Sequence, residues 1–90
     1  MAKVITPEQV EKLKRASVCW IEFYDGELGR STALFAAMKC KDGTLVDEEC
    51  SIYDDFKADT TPDAEGDCWR FWDAKPTAQE RKNTRWEFEE

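Results

Sequence analysis

Apolar positions change their spacing several times along this chain, and each change marks an element. Residues 6–16 carry a helical pattern, with Val10, Leu13 and Ser17 on one face. Thr6 is a candidate N-cap, Pro7 suits the first helical position, and Gln9 completes a capping box. Ile5 and Val10 match a hydrophobic staple, while Glu8–Lys12 and Glu11–Arg15 are favourable pairs on the outside. So narrow an apolar face needs a sheet beneath it.

The period then becomes two. Residues 18–24 predict a strand with Cys19, Ile21 and Phe23 on one side and Val18, Trp20 and Glu22 on the other. Turn chemistry at 25–29 leads into a returning strand over 31–40, with Leu34, Ala36 and Met38 on one face. The alanines at 33, 36 and 37 leave a helix open there and suit close helix–sheet packing. Asp42-Gly43 is hairpin chemistry. A third strand starts at Leu45-Val46, breaks at residues 47–49 and resumes over 50–53. Residues 57–67 read as a loop. Residues 68–72 form an aromatic strand, and a short helix begins at Pro76-Thr77, with Thr77 and Glu80 as a second capping box. Residues 84–89 alternate as a last strand. The expected fold is a single α+β domain over 1–90. An N-terminal helix packs on an antiparallel sheet of about four to five strands, followed by a short C-terminal helix and a hairpin-like end.

Charge changes the picture more than composition does. Residues 42–73 hold eleven acids against Lys57 and Arg70, a local sum of −9. Residues 1–41 sum to +2 and residues 74–90 to zero, so the −7 of the chain comes from this one segment. A field this concentrated repels nucleic acid and attracts basic protein surfaces. Eleven Trp, Phe and Tyr residues argue against a disordered acidic tail.

Catalytic chemistry has little to build on. The chain has no histidine, no Gly-x-Ser-x-Gly and no phosphate-cradling glycine loop, and Glu48-Glu49 and Asp54-Asp55 are adjacent pairs that a strand would turn to opposite sides. These features predict a protein that is not an enzyme and carries no cofactor. Cysteines at 19, 40, 50 and 68 lack any Cys-x-x-Cys spacing, so they read as reduced, mostly buried thiols rather than a zinc set. Asp63, Glu65 and Asp67 alternate beside Gly66 but fall short of a calcium loop, and no metal is expected. Lys3, Lys12, Lys14 and Arg15 make a small basic patch that the net charge opposes as a nucleic-acid site. The start of the chain lacks a signal-peptide pattern and no long apolar run follows, which predicts a cytosolic protein.

The acidic stretch is itself the candidate site. Acids spaced along strands and loops approximate the charge of a nucleic-acid backbone and fit a basic groove. Asp47, Glu48, Glu49, Asp54 and Asp55 are the candidate charges; Tyr53, Phe56, Trp69 and Trp72 are the candidate anchors. In this profile the chain resembles the small phage-encoded inhibitors of bacterial defence, the anti-CRISPR proteins. The resemblance implies binding to a CRISPR effector complex in the bacterial host and blocking its access to target DNA. The chain is also similar in size and charge to immunity proteins that neutralise nuclease toxins, though their helical bundles do not fit these strand patterns. The competing class is a cytosolic adaptor or ligand-binding module that uses the Trp-rich strand 68–72.

Overall fold

The computed structural model describes residues 1–89. Its elements are β1 (Val4–Ile5), α1 (Pro7–Glu11), β2 (Val18–Asp25), β3 (Arg30–Lys39), β4 (Leu45–Asp47), β5 (Ile52–Tyr53), α2 (Phe56–Asp59), β6 (Cys68–Trp72) and α3 (Ala78–Asn83). The protein is α+β, with a six-stranded antiparallel sheet in the order β1-β6-β2-β3-β4-β5 and three short helices. β6 is inserted between β1 and β2, so the last strand in sequence is an interior strand, one in from the edge formed by β1.

Alternation along the strands gives the sheet two different faces. One carries Ile5, Cys19, Ile21, Ala37, Leu45, Tyr53 and Phe71 and packs on Val10, Leu13 and Phe56 from the helical side. This is the apolar core, and the side chains of β2 divide between the two faces as its period-two pattern predicts. The other face carries Trp20, Glu22, Arg70 and Trp72 across the middle strands. α3 and the segment after it cover part of this face, with Trp86 against Tyr24 and over the Arg70 guanidinium.

Both capping boxes form. The amide of Gln9 donates to Thr6 Oγ1 at 3.1 Å and the amide of Thr6 to Gln9 Oε1 at 2.7 Å. Thr77 and Glu80 repeat the arrangement.

Five features depart from the sequence reading. The first helix spans Pro7–Glu11 rather than 6–16. Ala16 adopts φ 71°, and the Ala16 amide donates to the Lys39 carbonyl while the Lys39 amide donates to that of Ser17. These bonds to β3 draw the chain off the helix axis. The third strand does not resume after its break but reverses, so β4 and β5 form a hairpin, Leu45 opposite Tyr53. The loop expected over 57–67 begins inside α2, whose N-cap is Asp55 and whose buried anchor is Phe56. Residues 84–89 form no strand: the Glu89 amide turns back to the Trp86 carbonyl at 3.0 Å, and Trp86 and Phe88 both pack on Tyr24. Their alternation encodes aromatic packing, not pairing. Finally, Val4–Ile5 forms a sixth strand, too short to show a period. No helix among the described residues is long and apolar enough to cross a membrane.

Candidate interaction surface

The cross-strand register assembles one row of apolar side chains on the open part of the second face. Val18 lies opposite Met38, Met38 opposite Val46, and Val46 opposite Ile52, so the row runs across β2, β3, β4 and β5. Val18, Met38 and Ile52 are 56%, 48% and 66% exposed, and Val46 is half-buried. Isolated exposed apolar residues are ordinary, whereas a contiguous row marks a surface that gains from being covered.

The β4–β5 turn brings acids to the end of this row. Glu48 reaches back to β3, where its Oε1 accepts the Ala36 amide at 2.8 Å. That bond satisfies a β3 donor just beyond β4 and places a carboxylate beside Val18, Met38 and Val46, with which it lines a shallow depression. Glu49 is exposed in the same turn, and Asp54 is exposed immediately after β5. Acids next to so short an edge strand also discourage edge-to-edge pairing of sheets.

Asp47 has a different task. It is 7% exposed; its Oδ1 accepts from the amides of Glu49 and Ser51, and its Oδ2 accepts the Tyr53 hydroxyl at 2.6 Å. The carboxylate thereby organises the turn in which Cys50 takes φ 65°. Burial, then the Asp47 hydrogen bond and charge, push the Tyr53 hydroxyl well above its ordinary range. Asp55 is exposed but caps α2 through the Ala58 amide.

The proposed anchors are corrected by their burial. Tyr53 and Phe56 belong to the core, and Trp72 has no exposed surface. Aromatic side chains in a chain this short are needed inside, where their apolar area is worth most. Trp69 is half-buried between Phe23 and Tyr53 and also lines a cavity of about 220 Å³ with Val4, Ile5, Pro7, Trp86 and Phe88. Of the residues singled out from sequence, Glu48, Glu49 and Asp54 thus remain as surface charges, Asp47 and Asp55 as turn and cap residues.

Asp63, Glu65 and Asp67 do converge, with one carboxylate oxygen of each within 4.8 Å of the others. Asp63 Oδ1 accepts the amides of Glu65 and Asp67, and Asp67 Oδ1 accepts that of Gly26. These acids hold a turn against the β2–β3 connection.

The sequence reading also passed over a buried charge cluster. Glu22, at 0% exposure, accepts from Arg70 Nε at 2.6 Å and Trp72 Nε1 at 2.9 Å on one oxygen, and from Arg81 Nε at 3.1 Å on the other. Burial raises the affinity of Glu22 for a proton, but the bonds from Arg70 and Trp72 and the Arg70 charge outweigh it and hold the carboxyl below its ordinary range. Arg70 is fully engaged: its other nitrogens donate to the carbonyls of Thr84 and Arg81, and its plane lies 4.0 Å from the Trp86 ring centroid. The signal was a lone acid in an otherwise apolar strand, 48 residues before a lone base in another. Only their pairing in register shows that they meet.

A comparison with protein-family models, curated proteins and solved structures finds no match to this chain.

Proposed function

We propose that this chain is an inhibitory, non-catalytic protein-binding domain that occupies a basic, nucleic-acid-binding surface of a nuclease or CRISPR effector complex and blocks access to target DNA. One observation carries this reading: the row Val18–Met38–Val46–Ile52, exposed at three of its four positions, lies beside Glu48 in a chain whose middle segment sums to −9. A few well-packed side chains near the centre of a contact carry most of its affinity, and carboxylates at its rim speed encounter with a basic partner. A DNA-binding groove is basic, and the acidic middle segment has the complementary sign. The anchors are therefore aliphatic residues of the sheet face, not the buried aromatics.

The test separates anchors from rim. Effector complexes are captured from bacterial lysate with tagged protein at low and high salt, and inhibition is then assayed on the purified target. Met38→Glu with Ile52→Lys is expected to weaken binding by about tenfold or more at either salt. Glu48→Lys with Glu49→Lys and Asp54→Lys is expected to slow association and abolish its salt dependence. All five side chains are exposed, but Glu48→Lys also removes the bond to the Ala36 amide, so a Glu49→Lys with Asp54→Lys variant and melting curves control for stability. Failure to recover any nucleic-acid-handling protein at either salt rejects the proposal.

A second reading rests on the Trp69 cavity. Its apolar walls and its volume of about 220 Å³ suit a small apolar ligand or peptide side chain, as an adaptor or ligand-binding module requires. Here Trp69→Ala abolishes binding and the acid reversals change nothing.

A further inference from the structure

We propose that the cleft between α3 and the β2–β3 turn is a binding site for a phosphate oxyanion. The cleft holds about 350 Å³ and is lined by Arg30, Arg81, Lys82 and Arg85. Two carboxylates share the lining, Glu22 and Glu89, and both are already committed. Glu22 is wholly buried and divided between Arg70 and Arg81. Glu89 Oε1 accepts the Trp86 amide at 3.2 Å. Arg70 lies outside the lining and Arg81 lines it, so four basic side chains, Arg30, Arg81, Lys82 and Arg85, face two carboxylates and leave the cleft with surplus positive charge. The chain carries −7 overall, so the sign of this cleft is opposite to that of the molecule.

The geometry favours a multi-oxygen anion over a halide. Arg81 is held from two sides, Nε by Glu22 and Nη2 by Ser31 Oγ at 2.8 Å. A guanidinium carries five N–H donors, so Arg81 retains donors in a fixed plane. Its side chain is 28% exposed, enough to reach a ligand while remaining partly desolvated. Planar guanidinium forks match the oxygen spacing of phosphate, and an ammonium such as Lys82 adds an adaptable third contact. Preorganisation by a buried carboxylate lowers the ordering cost of such a site. The cleft lies on the part of the second face covered by α3, away from the acids of the β4–β5 turn, so it stands or falls independently of the function proposed above.

The test uses the isolated chain at low ionic strength. Inorganic phosphate is titrated against ¹⁵N-labelled protein, with sodium chloride at matched ionic strength as the control. Shifts confined to Ser31, Arg81, Thr84 and Arg85, and absent with chloride, are the expected result. Lys82→Ala with Arg85→Ala, and separately Arg30→Ala, are expected to weaken phosphate binding about tenfold and leave the melting temperature unchanged. Adenosine monophosphate and a short single-stranded oligonucleotide then distinguish the source. Tighter binding of the nucleotide identifies a small-molecule phosphate; tighter, steeply salt-dependent binding of the strand identifies a backbone phosphate. Both results require the same rim residues. If phosphate shifts no cleft resonance at about 10 mM, well above the millimolar range of a weak site, or the rim variants bind equally well, the proposal is overturned.

Discussion

Replacing Glu22 by Gln is the sharpest test of how the fold tolerates charge in its interior. The substitution keeps the shape and one carbonyl oxygen but removes the negative charge. It also sets an amide N–H₂ against guanidinium donors, because Arg70 Nε and Trp72 Nε1 converge on one oxygen and Arg81 Nε on the other. Arg70, 5% exposed, is then a buried cation with no counter-charge. Removing one partner of a buried pair costs about 3–5 kcal/mol. The Arg81 interaction is partly screened and adds less than about 1 kcal/mol. A loss of about 3 kcal/mol is expected, a large share of the roughly 5–13 kcal/mol that a domain of this size commands. The melting temperature should fall by about 12 °C or more. Urea unfolding followed by tryptophan fluorescence measures it, with Trp72 and Trp86 flanking Arg70 as reporters. The pH dependence has a definite sign. The folded carboxyl titrates below its ordinary range, so its contribution is complete above the unfolded value and declines as pH falls through the folded one. Glu22→Gln lacks that decline. Glu22→Leu combined with Arg70→Met should recover much of the loss, since an apolar pair needs no counter-charge. A single Glu22→Gln loss below about 1 kcal/mol would falsify the idea that the Glu22 charge compensates the burial of Arg70.

Three further outcomes follow from other positions. The Asp59 carboxyl is pushed up to about 6, first by burial and then by Asp55 and Asp54, and its Oδ2 has no hydrogen-bond partner among the described residues. Because the unfolded group ionises first, the protein should lose stability as pH rises from about 4 to 6; Asp59→Asn should flatten that profile and stabilise by about 1 kcal/mol at pH 7, after allowance for solvent screening, as read by melting curves. Gly26→Ala would place a Cβ 2.1 Å from the Glu65 carbonyl oxygen, so the two turns must separate, at a cost of about 1–3 kcal/mol in urea unfolding. Alkylation followed by mass spectrometry should modify exposed Cys50 first and leave Cys19 and Cys68 untouched in the native state, because burial raises both of those thiols to about 11; early modification of Cys68 would contradict its packing under the sheet cover.

Local chemistry made several elements legible in the sequence. The capping boxes at Thr6 and Thr77 depend on side chains three residues apart, and both form. The period of two over 18–24 set Cys19 and Ile21 on one side and Trp20 and Glu22 on the other, as the structure has them, and the Asp42-Gly43 turn joins β3 to β4. What failed were inferences about the ends and partners of elements. The first helix stops early because residues 16 and 17 bond to Lys39, 23 and 22 residues further along the chain. Lys39 also inserts its ammonium, with Nζ donating to the carbonyls of Val10 and Glu11 at 2.7 and 2.9 Å. A lysine in a strand pattern gives no sign of capping a distant helix. The acids of the middle segment were visible as charge, but not that Asp47 is consumed by a turn while Glu48 stays at the surface.

The sequence by itself determined the α+β class, the alternation of faces along β2, the starts of the first and last helices and the concentration of negative charge, because each depends on neighbours within a few residues. Tertiary structure alone decided that β6 enters the sheet between β1 and β2, that Glu22 meets Arg70, and that four apolar side chains from four strands stand in one row. Period assigns a residue to a face but leaves its strand's neighbour undetermined. That choice is made by the packing of the whole sheet, where tryptophans that look like surface anchors gain more by being buried.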